Sequence, residues 1–391
     1  MTYKSLLGIG ILIFPALARA VYAPIPEQEQ GEALTVTVDS GAYYDTNIFG
    51  SATGAIDSMV YSISPKFAFN ASVEKQTFLS ASYKPTLDYF DRRPTDKTLL
   101  SHEVALRLAH AFTDVSNLDL TDGFHVDKNP ESLLAGQPVN TDQSVTWNEF
   151  DGRFTTALGP KFGTVLKYRN IVYAYNDDGL AHSLNRMEHL AGLELNYKAL
   201  PDVAVVGEYR HQIINYSHSS GTNDKNSDFA LTGLDYSLGK KVTLSTRVGL
   251  EDRRRSGEPN NTGPYAELTC RYDYSDQSFV SGGYTYSLEE TDDPSLFTDT
   301  KMNRFFINVQ HALTPTIVTS ASATWQPSTL QGRPGKVNVD ETTTRLGVAV
   351  TYLARKNLSL SATYDYDDVS SDMSNRGQLR SRVGVNMRLY F

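Results

Sequence analysis

The segment that most constrains the fold is 379–391, where apolar and basic residues alternate. One set of alternate positions is Leu379, Ser381, Val383, Val385, Met387, Leu389 and Phe391, and the other set contains Arg380, Arg382 and Arg388. Because side chains on a strand alternate between its faces, the segment predicts a strand with one apolar and one basic face. Soluble proteins avoid exposed apolar edge strands, which invite aggregation. The segment therefore predicts the closing strand of a transmembrane β-barrel, with Leu389 and Phe391 as the closure and assembly signal.

The start of the chain predicts a secretory signal peptide. Lys4 precedes an apolar run, and Ala18-Arg19-Ala20 places small residues where a signal peptidase cleaves. The apolar run, of about 12 residues, is shorter than the roughly 20 residues that a spanning helix needs. We expect a signal peptide over 1–20, a short periplasmic segment over 21–33 and one outer-membrane barrel over 34–391.

The same alternation recurs along the rest of the chain. Residues 59–69 and 79–89 alternate apolar and polar side chains, and similar segments continue to the terminus. Sustained alternation is the main sequence signal of a strand, and it predicts about 18 strands, or about 16 if two are misread. Connections alternate between short and long, as they do between the periplasmic turns and external loops of outer-membrane barrels. The predicted fold class is an all-β, antiparallel, up-and-down transmembrane β-barrel.

Aromatic residues lie near the ends of the predicted strands. Tyr89, Tyr173, Tyr175 and Trp325 are at the predicted outer ends, and Tyr352 is at an inner end. This placement predicts two aromatic girdles, one at each membrane interface. The alternative is the ordinary enrichment of aromatic residues in strands.

Composition argues against several classes of function. The formal charge is −9, and removal of Lys4 and Arg19 with the signal peptide, without loss of any acid, changes it to −11. An acidic chain is a poor candidate for nucleic-acid binding. Cys270 is the only cysteine, so no disulfide framework or thiolate metal site is expected. The 8 histidines lack metal-ligand spacing, so we predict no metal and no cofactor.

Charged residues on the polar faces of the predicted strands are expected to line the lumen. They are Lys66, Lys84, Asp88, Arg107, Arg153, Lys167, Arg169, Arg210, Arg247, Arg271, Arg345, Asp365, Arg380, Arg382 and Arg388. Two interpretations stay open for this set. The charges could pair across strands and stiffen the wall, or they could line an aqueous path and set its selectivity.

Four of these residues are expected to form a basic stripe near the predicted closure: Arg345, Arg380, Arg382 and Arg388. Guanidinium groups bind carboxylates through two parallel hydrogen bonds, so the stripe could steer an acidic sugar polymer. Asp39 and Asp365, on the flanking strands, could instead neutralise the stripe.

Two connections carry further expectations. The longest, Asp127 to Val145, either folds into the lumen as a constriction or extends into solvent. The run Asp252-Arg253-Arg254-Arg255 begins a predicted external loop, where we expect it to contact lipopolysaccharide phosphates.

The segment Tyr43-Tyr44-Asp45-Thr46-Asn47-Ile48-Phe49 follows the first predicted strand. It resembles the Tyr-Asp-x-Asn-Ile/Val-Phe element near the mature N-terminus of the outer-membrane β-barrel porins called family 2, through Tyr44, Asp45, Asn47 and Phe49. Members of that family are often encoded with capsule or exopolysaccharide assembly systems. The resemblance therefore implies a channel that passes such a polymer across the outer membrane of a Gram-negative bacterium. Asp45 and Asn47 could also simply shape the first external loop through local hydrogen bonds.

Three functional hypotheses follow. The first is a porin-like channel that exports exopolysaccharide or capsular polysaccharide, and the second is a closed structural or adhesive barrel that acts through its loops. The third is an outer-membrane hydrolase using His218, Ser219 and Asp224, but nearness in sequence does not establish triad geometry. We predict no catalytic residues and no enzyme activity. Expected partners are outer-membrane lipid, lipopolysaccharide, the barrel-assembly machinery, a polysaccharide substrate and periplasmic export proteins, with no nucleic acid.

Overall fold

The computed structural model describes residues 33–73, 76–128, 144–218, 223–239, 241–256, 258, 260–374 and 376–391. The predicted signal peptide and all but the last residue of the predicted periplasmic segment lie outside the described residues. Most of the connection from Asp127 to Val145 also lies outside them, so its two interpretations stay open.

The described residues form 18 antiparallel strands and one short helix. The elements are β1 (Leu34–Asp45), β2 (Ser58–Val73), β3 (Thr77–Phe90), β4 (Thr98–Thr113), β5 (Ser116–Asp127), β6 (Val145–Ala157), β7 (Phe162–Tyr175), α1 (Asp178–Leu184), β8 (Arg186–Leu200), β9 (Val203–Tyr216), β10 (Lys225–Leu238), β11 (Val242–Arg255), β12 (Asn261–Ser275), β13 (Ser278–Glu289), β14 (Phe297–Thr314), β15 (Ile317–Gly332), β16 (Val339–Arg355), β17 (Leu358–Ser371) and β18 (Gln378–Tyr390).

The sheet closes on itself. Each strand pairs with its neighbours in sequence, and β1 pairs with β18 in a register that sets Asp39 opposite Arg388. At the end of this seam the backbone N–H of Phe391 donates to the carbonyl of Val36 at 2.9 Å. A closed barrel leaves no unpaired strand edge, which is the condition for a sheet to cross a bilayer. The predicted fold class is confirmed.

Apolar side chains cover the outer surface of the barrel. On β18 the side chain of Val385 is 64% exposed, whereas Arg380, on the opposite face, is 6% exposed. Large apolar side chains are exposed in the same way on strands all around the barrel. Such a surface would be a liability in water, and it matches the apolar band of an outer-membrane barrel. Short turns join the strands at one end and longer connections at the other, which orients the short-turn end toward the periplasm.

The helix α1 lies in the connection between β7 and β8. The carboxylate of Asp177 caps it by accepting a hydrogen bond from the backbone N–H of Leu180 at 2.9 Å. Leu184, at its end, is buried in one apolar cluster with Tyr173 and Tyr175. The connection therefore folds back onto the end of β7. None of the described residues forms a helix with the length and hydropathy that a membrane span requires.

The girdle prediction is wrong for Tyr173 and Tyr175. Both side chains are buried on the inner face, where they pack with Leu184. Tyr89 and Trp325 do lie exposed on the outer face. Alternate positions on a strand point to opposite faces, so clustering at strand ends cannot by itself place an aromatic ring in lipid.

Adjacent residues of β16 provide a test of the two faces. Val348 is exposed on the outer face, and Ala349 is on the inner face opposite Thr363 of β17. We expect Val348→Arg to lower the free energy of unfolding by about 2–4 kcal/mol, the cost of a cation near the membrane midplane. Ala349→Arg should cost much less, since its side chain meets water. Urea unfolding in lipid vesicles measures the free energy of unfolding of both variants. Equal losses of stability would contradict the assignment of the two faces.

Candidate transport site in the barrel lumen

The inner face of β7 shows how alternation delivers charge to the lumen. Lys167 and Arg169 are buried on this face, whereas Leu166 and Tyr168, at alternate positions, are exposed on the outer face. The lipid-facing and lumen-facing sets therefore occupy one continuous strand. The same arrangement on the other strands brings inward most of the residues that the sequence predicts to line the lumen.

An inner charge cluster spans β7 to β11 and comprises Lys167, Glu194, Glu208, Arg210 and Arg247. The ammonium of Lys167 donates to Glu194 at 2.6 Å and to Glu208 at 2.8 Å. The guanidinium of Arg247 lies 3.2 Å from Glu194 and 3.4 Å from Glu208. Arg210 donates to Glu208 at 2.8 Å. Buried charges are stable only when paired and hydrogen-bonded, and every member of this cluster has opposite charges beside it.

Ion pairs continue along the wall on both sides of this cluster. Arg247 also donates to Asp235 on β10 at 2.8 Å. On the other side, Arg169 donates to Asp151 on β6 at 2.8 Å. Further along, Arg107 on β4 donates to Asp119 on β5 at 2.8 Å. These contacts favour the interpretation in which lumen charges pair across strands.

The other predicted lumen residues of this half of the barrel lie outside the inner charge cluster. Lys84 is 3.7 Å from Glu103 on β4. Lys66 and Asp88 alternate with outward-facing Phe67 and Tyr89, which places them on the inner face. Arg153 is opposite Asp119 on β5 and opposite Lys167 on β7. Arg271 lies near the end of β12, with its side chain 46% exposed and 2.7 Å from Asp273.

The predicted basic stripe lies beside the β1–β18 seam, and carboxylates neutralise it. Arg388 donates to Asp39 at 3.1 Å. Arg382 donates to Asp367 at 3.1 Å, and Arg345 lies 3.6 Å from the same carboxylate. The sequence interpretation in which Asp39 neutralises the stripe is confirmed by the first of these pairs.

The second acid considered from the sequence, Asp365, is opposite Arg382 in the pairing of β17 with β18. The sequence interpretation did not include Asp367, two positions further along the same face. It is Asp367 that forms the described ion pairs with Arg382 and Arg345. The strand was predicted to end at this residue, whereas β17 continues to Ser371 and brings Asp367 fully into the inner face.

The family-motif residues join the first and last strands. We call Asp45, Asn47 and Arg380 the seam lock. The Asp45 carboxylate accepts from the guanidinium of Arg380 at 3.1 Å and from the backbone N–H of Asn47 at 2.9 Å. The Asn47 amide donates to the carbonyls of Ser51 at 2.8 Å and Leu379 at 3.2 Å. The motif thus shapes the first loop, as one sequence interpretation held, and also ties it to β18.

The remaining motif residues hold the rest of this loop. The hydroxyl of Tyr44 donates to Asp57 at 2.7 Å, and this hydrogen bond is the main reason that the pKa of Asp57 lies below its usual range. Phe49 packs against the apolar cluster that contains Phe90, and the guanidinium of Arg93 lies over its ring at 4.7 Å. Tyr44 and Phe49 therefore have structural contacts at the outer end of the barrel.

The long connections meet at the outer mouth through residues that sequence reasoning did not single out. Glu290, immediately after β13, accepts from the Tyr216 hydroxyl at 2.7 Å. It also lies 2.9 Å from the Lys225 ammonium and 3.2 Å from the Arg255 guanidinium. Tyr216 belongs to β9, four strands away or roughly 19 Å along the wall. Glu290 therefore reaches across the inside of the mouth. Burial raises the pKa of Glu290, but the surrounding cations outweigh it and hold the pKa well below its usual range.

Arg333 links four outer connections. Its guanidinium donates to the carbonyl of Pro294 at 2.6 Å, to Glu258 at 3.1 Å and to the amide oxygen of Asn223 at 2.6 Å. Arg333 follows β15, whereas Asn223 precedes β10. We call Glu290, Asp292, Arg333, Arg376 and the partners that they contact the mouth network.

The last part of the mouth network is a buried triad of charges. Arg376 donates to Asp292 at 3.0 Å and to Glu341 at 3.2 Å. Burial raises the pKa of Asp292 to about 7, Arg376 opposes this rise, and the nearby Glu341 adds to it. The triad joins the connection between β13 and β14 to the connection between β17 and β18.

The prediction for the run Asp252-Arg253-Arg254-Arg255 is wrong in part. β11 continues through Arg255, so the run alternates between faces. Arg253 and Arg255 are buried inside, where Arg253 donates to Glu251 at 2.9 Å. Only Arg254 of the three arginines is exposed on the outer face, and it donates to Asp252 at 3.0 Å. At most one guanidinium of this run can face lipopolysaccharide.

The residues that sequence reasoning missed lie at strand ends or in connections. Glu290, Asp292, Arg333 and Arg376 fall in segments with no period-two pattern to give their direction. The available signal was the presence of opposite charges in five different predicted outer connections. That signal indicates that the connections can pair but not which residues do so.

The hydrolase hypothesis stays untested, since only His218 and Asp224 of its three residues are described. The Asp224 carboxylate accepts from the backbone N–H of Tyr216 at 2.8 Å. The ring of His218 lies 5.5 Å from the ring of His182. Ser219 lies outside the described residues. In the part of the chain that the structure describes, no group of three or more His, Cys, Asp or Glu residues could hold a metal ion.

Comparison with known proteins gives the same class. The family described as "Putative beta-barrel porin 2" matches residues 280–391. Over this C-terminal part, the chain is similar to that porin family. The match confirms the predicted family resemblance over residues 280–391, a range that does not include the motif at residues 43–49, and it indicates an outer-membrane barrel of a Gram-negative bacterium. A search of curated proteins found no match.

Solved structures share the barrel's fold at low sequence identity. OccK1 (OpdK) from Pseudomonas aeruginosa aligns at 10% identity with a TM-score of 0.50, over 92% of this chain and 99% of that chain. The structure of Pseudomonas aeruginosa OpdK with vanillate aligns at 10% identity with a TM-score of 0.51, over 92% and 99% of the two chains. The siderophore receptor PirA from the same organism gives 10% identity and a TM-score of 0.47, over 93% and 81%.

The seam lock predicts a large loss of stability when its acid is neutralised. Asp45→Asn leaves the buried Arg380 without its carboxylate, which should lower the free energy of unfolding by about 3 kcal/mol. Adding Arg380→Met should recover part of the loss, because the uncompensated charge is gone. Asp57→Asn, at the exposed pair with Arg92, is the control and should change stability little. Denaturant unfolding in vesicles measures the free energy of unfolding of the wild type, the two single variants and the double variant. A double variant no more stable than the single variant would contradict the proposed role of the pair.

Asp292 predicts a defined dependence of stability on pH. Its pKa is raised from 3.8 to about 7 in the folded protein. Between about pH 4 and pH 7 the folded state therefore holds a proton that the unfolded state has released, and stability from this group falls as pH rises. The free energy of unfolding of the wild type, minus that of Asp292→Asn, should decline over this window. A difference that is constant with pH would show that Asp292 is ionised throughout.

Proposed function

We propose that this barrel is an outer-membrane channel that exports a polysaccharide. The supporting observation is a closed 18-stranded barrel whose inner face is polar and hydrogen-bonded while its outer face is apolar. A barrel of this strand number is wide enough to enclose an aqueous path. Passage across the membrane would then require no catalytic group and no cofactor.

The polymer itself is proposed from the family resemblance. The seam-lock motif and the match over residues 280–391 both point to the porins called family 2, whose members are often encoded with polysaccharide assembly systems. A periplasmic cavity of about 540 Å³ at the inner ends of β2–β5 is lined by polar residues that include Asn70, Ser72 and Asn117. A hydrated chain could enter there from the periplasm.

Deletion of the gene tests the export role. The cell should accumulate polymer in the periplasm, since assembly continues without an exit, and surface polymer should fall. Expression of the wild-type chain from a plasmid should restore secretion. Unchanged surface polymer with no periplasmic accumulation would refute polysaccharide export, whatever the purified barrel conducts.

A closed structural or adhesive barrel is the second candidate. The observation in its favour is the mouth network, which ties several outer connections together through Glu290, Arg333 and Arg376. Recording in planar bilayers separates the two candidates. Stepwise ohmic conductance is expected for the channel, and none is expected for a closed barrel.

A further inference from the structure

The inner wall contains two surfaces of different chemistry. From β7 to β11 it carries the inner charge cluster. From β13 to β18, toward the periplasmic half, it carries mainly hydroxyl and amide groups. Representative residues of this uncharged wall are Asn308, Gln310, Ser320, Ser322, Thr363 and Asn386. Strand pairing sets them side by side, with Asn308 opposite Ser322 and Gln310 opposite Ser320.

The inner charge cluster, on the wall from β7 to β11, offers no unpaired cation to an acidic cargo. The Lys167 ammonium already holds Glu194 and Glu208, and Arg247 holds both of these acids together with Asp235. A carboxylate in transit would have to displace one of them. Displacement leaves a buried carboxylate unpaired, which costs several kcal/mol. The ion pairs therefore stiffen this wall and leave little attraction for a polyanion.

The arginines beside the seam are compensated in the same way. Arg382 and Arg345 share Asp367, and Arg388 holds Asp39. The basic stripe predicted from the sequence is thus close to neutral as a surface. It does not present the row of open guanidinium groups that would bind successive carboxylates of an acidic polymer.

Arg304 on β14 departs from this pattern of paired arginines. Within the described residues, Arg304 has no carboxylate within 4.0 Å, and its guanidinium donates to Gln326 at 2.8 Å. The carboxylate of Glu289 interacts with it electrostatically at longer range. A single guanidinium with an amide partner does not by itself form a ladder of charges. It offers donors that the oxygen atoms of sugar hydroxyls can accept.

The periplasmic cavity combines uncharged polar residues with apolar ones such as Phe78 and Leu118. Its lining includes Asn70, Ser72, Gln76 and Asn117, and its one carboxylate belongs to Asp119. That carboxylate is held by Arg107. The entrance therefore presents hydroxyl and amide groups with its acid already paired.

We infer that the lumen is built for an uncharged, hydroxyl-rich chain, that is a neutral glycan, and not for a polyanion such as a uronate polymer. This inference rests on the proposed export function. Amide and hydroxyl side chains exchange donors and acceptors freely with sugar hydroxyls. The ion pairs of the wall keep the lumen polar while reducing its attraction for charge of either sign.

Ion selectivity in planar bilayers tests the inference. Under a KCl gradient the full-length barrel should conduct with K⁺ and Cl⁻ permeabilities within about twofold of each other, since no ring of open charge lines the path. Conductance with Cl⁻ favoured by about tenfold or more would overturn the neutral-glycan inference and leave the channel standing. Absence of conductance would overturn the channel itself, and the inference with it.

Asp367→Asn should convert the barrel to an anion-preferring one. It leaves Arg345 and Arg382 without their shared carboxylate, so the Cl⁻ to K⁺ permeability ratio should rise about threefold to tenfold. The matched control is Asp340→Asn, which removes the same charge from an exposed residue bonded to Thr329 and should leave the ratio unchanged. Heat-dependent gel migration checks folding. If the first variant does not fold, Asp39→Asn, which removes the carboxylate paired with Arg388, is the substitute. If the folded Asp367→Asn or Asp39→Asn barrel has the same Cl⁻ to K⁺ permeability ratio as the wild type, the inference is overturned.

Oligosaccharides provide the direct comparison. A neutral glucan oligomer should interrupt the wild-type current at a concentration at least about tenfold lower than a galacturonate oligomer of the same length. Asp367→Asn should narrow or reverse this difference. A wild-type barrel that binds the uronate as well as the glucan would overturn the neutral-glycan inference, while secretion by the intact cell would still test export separately.

Discussion

The pairing of β1 with β18 is the interaction on which the rest of the structure depends. In hydrocarbon, an unpaired backbone N–H or carbonyl costs several kcal/mol, so a spanning sheet is stable only when its first and last strands satisfy each other. The observed register runs from Thr37 opposite Tyr390 to Asp45 opposite Arg382. Once the sheet is closed, each strand has one face in lipid and one in the lumen, and the period-two pattern of the sequence follows from this division.

Closure also explains why so much charge can be held inside. The inward residues are close to strands on both sides, so Lys167 can reach Glu194 on the next strand and Glu208 on the one after it. Each pair then restrains two or three strands. The mouth network does the same for connections, since Arg333 and Arg376 join segments that are far apart in the chain. Paired charge here contributes rigidity and a defined lumen surface, even where its net free energy is small.

The fold could be predicted from the sequence because alternation is a local property. The residues from Leu379 to Leu389 reveal both faces of β18 without knowledge of any other strand. Ion-pair partners require the register between strands, and this is why Asp367 was overlooked beside Asp365. Arg253 and Arg255 were misplaced because the strand was ended too early. Continued alternation would have turned both inward.

Contacts at the mouth were beyond sequence reasoning for a different reason. Glu290 meets Tyr216 only because a connection turns over the rim of the barrel, and no periodic pattern specifies that turn. The family motif was recognisable as a string of residues. Its link to Arg380, at the other end of the chain, is a property of the closed barrel alone.

The separation of Asp45 and Arg380, 335 positions apart, has a consequence for biogenesis. The acid belongs to β1 and the guanidinium to β18, so neither charge is neutralised until the barrel closes. A truncated or frameshifted product would retain an orphan carboxylate at the rim. The seam ion pair is therefore formed only when β1 and β18 are both present and paired.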